Sequence, residues 1–315
     1  MAPSIGRRAL LGAALAQEPL QRFASPTTSL TGPTTPTLSL ADGSRLPYSC
    51  FGVQIYDDDT AQRLTSQALQ AGFRCFFTSP EAGNQKGFAR AIRESGIPRD
   101  QLYIMGSVLS DDAEGYRAAR ETTKRRSEES LEVLASGGVD SLDMMLLERA
   151  GFSCPAIRGQ WKALEAVQGS GVTRSLGVCN FYVDQLDCLL GRANVKPQIH
   201  QCQYTLAIRL PHAEFRRQHE ERAIRLMAFS PLGGPPALIP TSTLDTCAAI
   251  GRAQSPAVSR SQVALRWLVQ QDVAYSVHSR NPAHLREDLD VFGFKLSEAE
   301  MLGLESMSER APAYW

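Results

Sequence analysis

The side chains in this chain best suited to proton transfer or nucleophilic attack stand at or near the ends of short apolar runs. Leu142-Asp-Met-Met-Leu-Leu ends in Glu148. A carboxyl group buried in such a place has its pKa raised and can donate a proton or a hydrogen bond, whereas in water it is an ordinary solvated carboxylate. Glu81 and Cys75 are further candidates close together in the chain. His200 and Cys202 are two residues apart, so on a strand they share a face, as a nucleophile and its base must. A packed Cys beside a hydrogen-bonded core His is the commoner outcome of that pattern. The seven cysteines (Cys50, Cys75, Cys154, Cys179, Cys188, Cys202 and Cys247) are scattered, with no C-x-x-C pair and no histidine cluster at metal-ligand spacing. They are expected to be reduced, mostly buried thiols, and no metal site is expected.

These residues need a scaffold, and the chain is built to supply one. Its 315 residues are 43% hydrophobic and 21% charged, a globular composition. Thirty-three basic residues balance 33 acidic ones, which argues against nucleic acid as a partner. No run approaches the roughly 18 apolar residues that span a bilayer. The Arg-rich segments 120–126 and 214–222 read as solvated helix faces. An Asp-Gly turn between residues 36–40 and 45–47 predicts an opening β-hairpin that plugs one end of a barrel. Eight short apolar strands follow, over residues 51–53, 74–77, 102–106, 142–147, 175–178, 199–202, 226–229 and 273–276. They alternate with amphipathic stretches at 60–70, 84–93, 116–135, 156–168, 183–190 and 261–270. Eight βα units in about 280 residues predict an α/β fold, one closed (β/α)8 TIM barrel over residues 36–315. The first strand–helix junction, Val53-Gln-Ile-Tyr-Asp-Asp-Asp, has no glycine-rich phosphate loop, which sets an open doubly wound sheet aside.

Several segments carry a family resemblance. Ala71-Gly-Phe-Arg with residues 84–92, Arg174-Ser-Leu-Gly-Val-Cys-Asn-Phe, Phe229-Ser-Pro-Leu-Gly, Gln262-Val-Ala-Leu-Arg-Trp-Leu and Leu285-Arg-Glu-Asp-Leu-Asp-Val-Phe are similar to aldo-keto reductase signatures, in the family's order and spacing from about residue 36 to 309. The segment 292–300 resembles that family's passage into a C-terminal helix, with Ser297 as N-cap. The resemblance implies hydride transfer from a nicotinamide to a carbonyl carbon. A tyrosine protonates the oxygen, assisted by a lysine paired with an aspartate, and a histidine orients the carbonyl.

None of those four side chains is present. Phe77 stands where the resemblance places the aspartate, Ala82 where it places the tyrosine, Ser107 for the lysine and Glu148 for the histidine. Glu148 is therefore the one catalytic candidate. Some reductases resembling this family reduce carbon–carbon double bonds with glutamate at that place, but they keep the tyrosine. Strand alternation puts Cys75 and Phe77 on one face, toward the barrel interior, which favours packing for Cys75.

The resemblance implies NADP or NAD as cofactor and leaves part of its site in place. Asn180 and Gln201 match residues that grip the nicotinamide carboxamide, with Cys179 where the family has serine. Phe229 matches the ring that stacks on the nicotinamide, and Ser230 and Leu232 match the pyrophosphate loop. At the adenine end Ser279 and Glu287 match, but His278 and His284 replace a lysine and an arginine. Neutral imidazoles attract a phosphate weakly, although Arg280 and Arg286 are close in sequence. Asp288 replaces an asparagine, and its charge is expected to oppose a phosphate.

The favoured reading is thus a reductase relative that has lost its chemistry, a pseudoenzyme acting as a binding or structural protein for a small-molecule or protein partner. The alternative is an active NAD(P)H-dependent oxidoreductase on carbonyl or C=C substrates, with a site rebuilt around Glu148. A non-redox enzyme using His200 and Cys202 is the third. Residues 1–35, with Arg7-Arg8 before a short apolar run and Glu18 as their sole acid, resemble a leader. It would direct the chain to a plastid or mitochondrion or to export; a disordered tail on a cytoplasmic protein is the alternative.

Overall fold

A computed structural model describes residues 35–53, 55–206, 211–233 and 239–308; the expected leader lies outside them apart from Thr35. Alternating strands and helices close into the barrel that the sequence predicts. After the hairpin β1 (Thr37–Ser39) and β2 (Arg45–Pro47), eight parallel strands follow. They are β3 (Ser49–Gly52), β4 (Cys75–Thr78), β5 (Tyr103–Val108), β6 (Leu142–Leu147), β7 (Thr173–Cys179), β8 (Ile199–Gln203), β9 (Arg225–Phe229) and β10 (Ala274–Val277). They pair in sequence order, and β10 closes on β3. All eight predicted strands are found, β6 at its predicted bounds and the others with ends displaced by at most two residues.

Ten helices are described, and most wrap the barrel: α1 (Asp58–Ala71), α2 (Gln85–Glu94), α3 (Gly115–Ser136), α4 (Cys154–Gly169), α5 (Val183–Leu190), α6 (His212–Glu221), α7 (Thr241–Ala253), α8 (Arg260–Val269), α9 (Pro282–Leu289) and α10 (Glu298–Ser308). Their ends follow local chemistry. Asp57 caps α1 by accepting from the Thr60 N–H, and Gly72 stops it at φ 115°. Ser259 and Gln262 form a reciprocal capping box on α8. Ser297 and Glu300 exchange the same bonds at the start of α10, the cap predicted there. Helices α7 and α9 were not among the predicted amphipathic stretches, and α6 was anticipated only as the solvated helix face at 214–222.

Strand alternation divides the core in two. One set of side chains packs between barrel and helices, including Phe76, Phe88, Trp161 and Trp267. The other fills the barrel: Cys50, Cys75, Tyr103, Met105, Met144, Leu146 and Met227, with Phe77 against them. The expected inward face of Cys75 and Phe77 is therefore observed. Leu38, Leu40 and Leu46 of the hairpin join this inner cluster, closing the barrel's N-terminal end. Ser175 Oγ donates to Asp42 at 2.5 Å and the Asp42 N–H donates to Gln198 Oε1 at 2.9 Å, which ties the plug down. The C-terminal ends of the strands are left as the open mouth, the face on which such barrels build their sites.

The cysteines depart from expectation. Cys50, Cys75, Cys179, Cys202 and Cys247 are free and buried as predicted. Cys154 and Cys188, 34 residues apart, form a disulfide between the first turn of α4 and α5, with Cα atoms 5.8 Å apart. Only the barrel's topology makes neighbours of them. Among the described residues no helix is long and apolar enough to cross a membrane.

Candidate active and cofactor site

Glu148 follows β6 at the mouth, its N–H bonded to Val108 O at 2.9 Å. Ser107, buried at the end of β5, donates its hydroxyl to Glu148 Oε2 at 2.7 Å, and Ser79 donates to the same oxygen at 2.8 Å. Burial pushes the Glu148 carboxyl above its ordinary value, against the two hydroxyls that favour its charged form; the Glu81 carboxyl beside it pushes the same way. Glu81 sits on the 3-10 turn Pro80–Ala82, where Ser79 Oγ also accepts the Glu81 N–H. Arg149 reaches Glu81 Oε1 at 3.4 Å and Asp111 Oδ2 at 3.9 Å.

Two of the four positions at which the resemblance expects other residues, Ser107 and Glu148, are thus joined by a hydrogen bond. The other two carry no polar function: Phe77 is a half-buried ring packed on the barrel interior, and Ala82 is buried on the turn. Ser79 had no signal in the sequence beyond its place just after β4, and it is what completes the polar cup around Glu148. Cys75 lies buried beside Cys50, and burial raises its thiol well above the ordinary value. It is a packing residue.

The cofactor candidates converge on the next three strand ends. Cys179 Sγ donates to Gln201 Oε1 at 3.1 Å, while Gln201 Nε2 faces the Met227 thioether at 3.9 Å. This buried amide thus spends its acceptor on a thiol and gives its donor only a weak sulfur partner. Asn180 is held at φ 55°, with its N–H on Gln201 O at 3.0 Å and Nδ2 near Glu148 O at 3.4 Å. Phe229 ends β9 half-buried, and Ser230 turns the chain at φ 47°. Left-handed conformations in non-glycine residues cost energy and cluster at functional sites. Leu232 packs on the outer core.

The adenine end is poorer. Ser279 Oγ accepts from the Asn281 N–H, and Glu287 is half-buried on α9. Burial lowers His278, which keeps it neutral at pH 7. The Arg280 guanidinium lies 4.9 Å over the Tyr56 ring, a cation in the region where the resemblance places a lysine. Asp288, expected to oppose a phosphate with its charge, is buried, and burial first, then Glu287, raises its carboxyl to about 7.

His200 and Cys202 do not meet the mouth. Both point outward from β8: Cys202 packs in the outer core, with its thiol raised to about 12 by burial. His200 Nε2 accepts the Phe181 N–H at 3.1 Å, and its Nδ1 lies 2.8 Å from His219 Nε2. Among the described residues no three His, Cys, Asp or Glu side chains converge as metal ligands.

The aldo/keto reductase family model matches residues 50–309. The chain belongs to that family. An aldo-keto reductase of Mycolicibacterium smegmatis is 32% identical over 274 residues, covering 87% of this chain and 91% of the relative. A glyoxal reductase of Bacillus subtilis is 31% identical over 274 residues, 87% of this chain and 93% of its own. Among solved structures, an aldo/keto reductase from Brucella melitensis has TM-score 0.76 and 29% identity, covering 87% of this chain and 100% of that one. A Bombyx mori aldo-keto reductase in complex with NADP has TM-score 0.78 over 89% of this chain and 95% of its own; at 21% identity it speaks for the fold alone.

Proposed function

We propose that this aldo/keto reductase family barrel binds a nicotinamide dinucleotide at its mouth and has lost the family's proton-transfer chemistry, so that it acts as a binding protein. The observation that carries the reading is the contrast at the mouth. Gln201 offers a buried amide donor with only a thioether opposite it, next to Asn180 in its left-handed turn. Phe77, Ala82 and Ser107 supply neither a phenol nor a cation. Gln201 and Asn180 would hold the carboxamide, Phe229 the ring, and Ser230 and Leu232 the pyrophosphate; the bound group would bring hydride chemistry. With neutral His278 and no lysine, NADPH has no clear advantage over NADH.

A second reading is favoured by Glu148. Its Oε2 already accepts two hydroxyls, so a proton on this raised carboxyl goes to Oε1, and the group can serve as an acid toward a carbonyl or C=C substrate. Calorimetric titration with NADPH and NADH tests both readings. Micromolar binding that falls about tenfold in Gln201→Met, the cost of one well-placed hydrogen bond, supports the site; no binding at millimolar concentration sinks it. Turnover of glyoxal by the wild type that disappears in Glu148→Gln would replace the binding-protein reading with the second.

The N-terminal segment, on this view, is a leader. Disulfides persist in oxidising compartments, so the Cys154–Cys188 bond supports export over the cytoplasm. A reporter fused to residues 1–40 that stays diffuse in the cytosol contradicts this.

A further inference from the structure

On the outer wall, away from the mouth, a groove of about 300 Å³ runs along α4 between the start of α3 and the end of α5. Its floor is apolar. Trp161 is anchored by its indole N–H on Val195 O at 2.8 Å, and Leu189 lies beside it, while the half-exposed Tyr116 ring forms one wall. Its rim carries Arg158, Lys162 and Arg192 against a single acid, Glu165.

The charges do not cancel. Glu165 is held below the ordinary carboxylate range even against its burial, by bonds from Lys162, Val195 and Asn194. Lys162 and Glu165 therefore neutralise each other. Arg158 gives one N–H to Cys188 O at 3.3 Å, and neither Arg158 nor Arg192 enters an ion pair among the described residues. Two uncommitted guanidinium charges are left on a chain whose formal net charge is zero.

The groove is also fixed in width. A Cβ on Gly159 would lie 2.2 Å from Tyr116 O, so only glycine lets the start of α3 approach α4 this closely. On the other side the Cys154–Cys188 bond and the Arg158–Cys188 contact hold α5 against α4. A preformed cavity with an apolar floor and a few convergent polar groups is the usual form of a small-molecule site, and 300 Å³ lies at the lower end of that range.

We propose that this groove binds a small aromatic carboxylate, its ring along the exposed Tyr116 wall, above the buried floor of Trp161 and Leu189, and its carboxylate on the forks of Arg158 and Arg192. Arginine forks match a carboxylate bidentately, and flat rings bury well against aromatic walls. The negative C-terminal end of α5 opposes a phosphate dianion more than a monoanion.

The probe is 1-naphthoate titrated into the full-length protein by fluorescence and calorimetry, with naphthalene-1-methanol as the uncharged control. Arg192 is exposed, so Arg192→Glu leaves the fold intact. It weakens 1-naphthoate about tenfold or more, the scale of one charge-assisted contact, while dinucleotide binding at the mouth is unchanged. Tyr116→Ala weakens it severalfold, the alcohol binds at least tenfold more weakly, and inorganic phosphate does not displace the acid. Equal 1-naphthoate affinity in wild type and Arg192→Glu, no binding by the wild type, or displacement by phosphate at equal concentration overturns the proposal.

Discussion

Ser107 donates its hydroxyl hydrogen to Glu148 Oε2 at 2.7 Å, joining the two positions at which resemblance to the aldo-keto reductases places lysine and histidine. At these positions the fold holds a hydroxyl and a carboxyl group, and Glu148 is the group there whose carboxyl burial raises. Because its carboxyl is raised in the fold, the protonated form favours folding. That contribution is full below the ordinary value near 4.5 and is lost as pH rises through the folded value. Glu148→Gln should therefore raise Tm at neutral pH by a few degrees, each unit of upward shift being worth about 1.4 kcal/mol. The gain should vanish below pH 4.5. Thermal melts across pH check it, and an equal gain at every pH would point to packing instead.

Asp288 obeys the same sign with a larger range. Its carboxyl rises from 3.8 unfolded to about 7 in the fold, so the stability it loses by ionising sets in across that window and is complete above it. Asp288→Asn should stabilise the protein by about 2–4 kcal/mol at pH 8, at 1.4 kcal/mol per unit, and by nothing below pH 3.8. Denaturant melts at pH 8 and pH 4 compare the two. A destabilised variant at pH 8 would mean that the ionised carboxylate has an acceptor role in the fold.

What the sequence disclosed and what it withheld follow from the physics of each signal. Short apolar runs mark buried parallel strands, so β6 was legible to the residue, and alternation put Cys75 and Phe77 inside. Helices α7 and α9 bury few residues, Thr243, Cys247 and Gly251 in α7 and Leu285 and Asp288 in α9, so an apolar stripe could not announce them, and α6, which buries His212 and His219, showed only its charged outer face. Asn180 and Gln201, singled out by resemblance, stand at the ends of the adjacent strands β7 and β8, with the Asn180 N–H on Gln201 O. Ser79's bond to Glu148 spans 69 residues and exists only once β4 lies two strands from β6. The burial of Asp288 beneath β10 leaves no trace in its own helix, so the sequence showed its charge and not its surroundings.

His200 and His219 form a chain with one direction. The His219 Nδ1–H faces Phe215 O at 2.7 Å, leaving Nε2 to accept from His200 Nδ1–H, and His200 Nε2 accepts from Phe181 N–H. Every ring nitrogen is satisfied with both imidazoles neutral, so a further proton meets an N–H. Burial lowers both in the fold, that of His200 well below 6.5. Their contribution is present above pH 6.5 and is lost as pH falls from there toward the depressed values, at up to about 1.4 kcal/mol per pH unit for each ring. Melts from pH 7.5 to pH 5 should show this slope, and His200→Gln/His219→Gln should flatten it. An unchanged acid slope in the double variant would assign the loss to other groups.

The Cys154–Cys188 bond closes a loop of 34 residues' separation and joins two helices that otherwise meet through few side chains, Arg158 on Cys188 O being one. Restricting the unfolded chain over a loop of that length is worth about 3–4 kcal/mol. Cys154→Ser/Cys188→Ser should therefore lower Tm by about 5–7 °C for a barrel of this size, and dithiothreitol should lower the wild type's Tm by the same amount while leaving the double variant's unchanged. The five free thiols are buried, so mass spectrometry after alkylation of the native protein should label no cysteine before reduction and two after it. Labelling of Cys154 and Cys188 without reductant would show that the bond does not form in the protein as isolated, and the stability difference between wild type and double variant should then be absent.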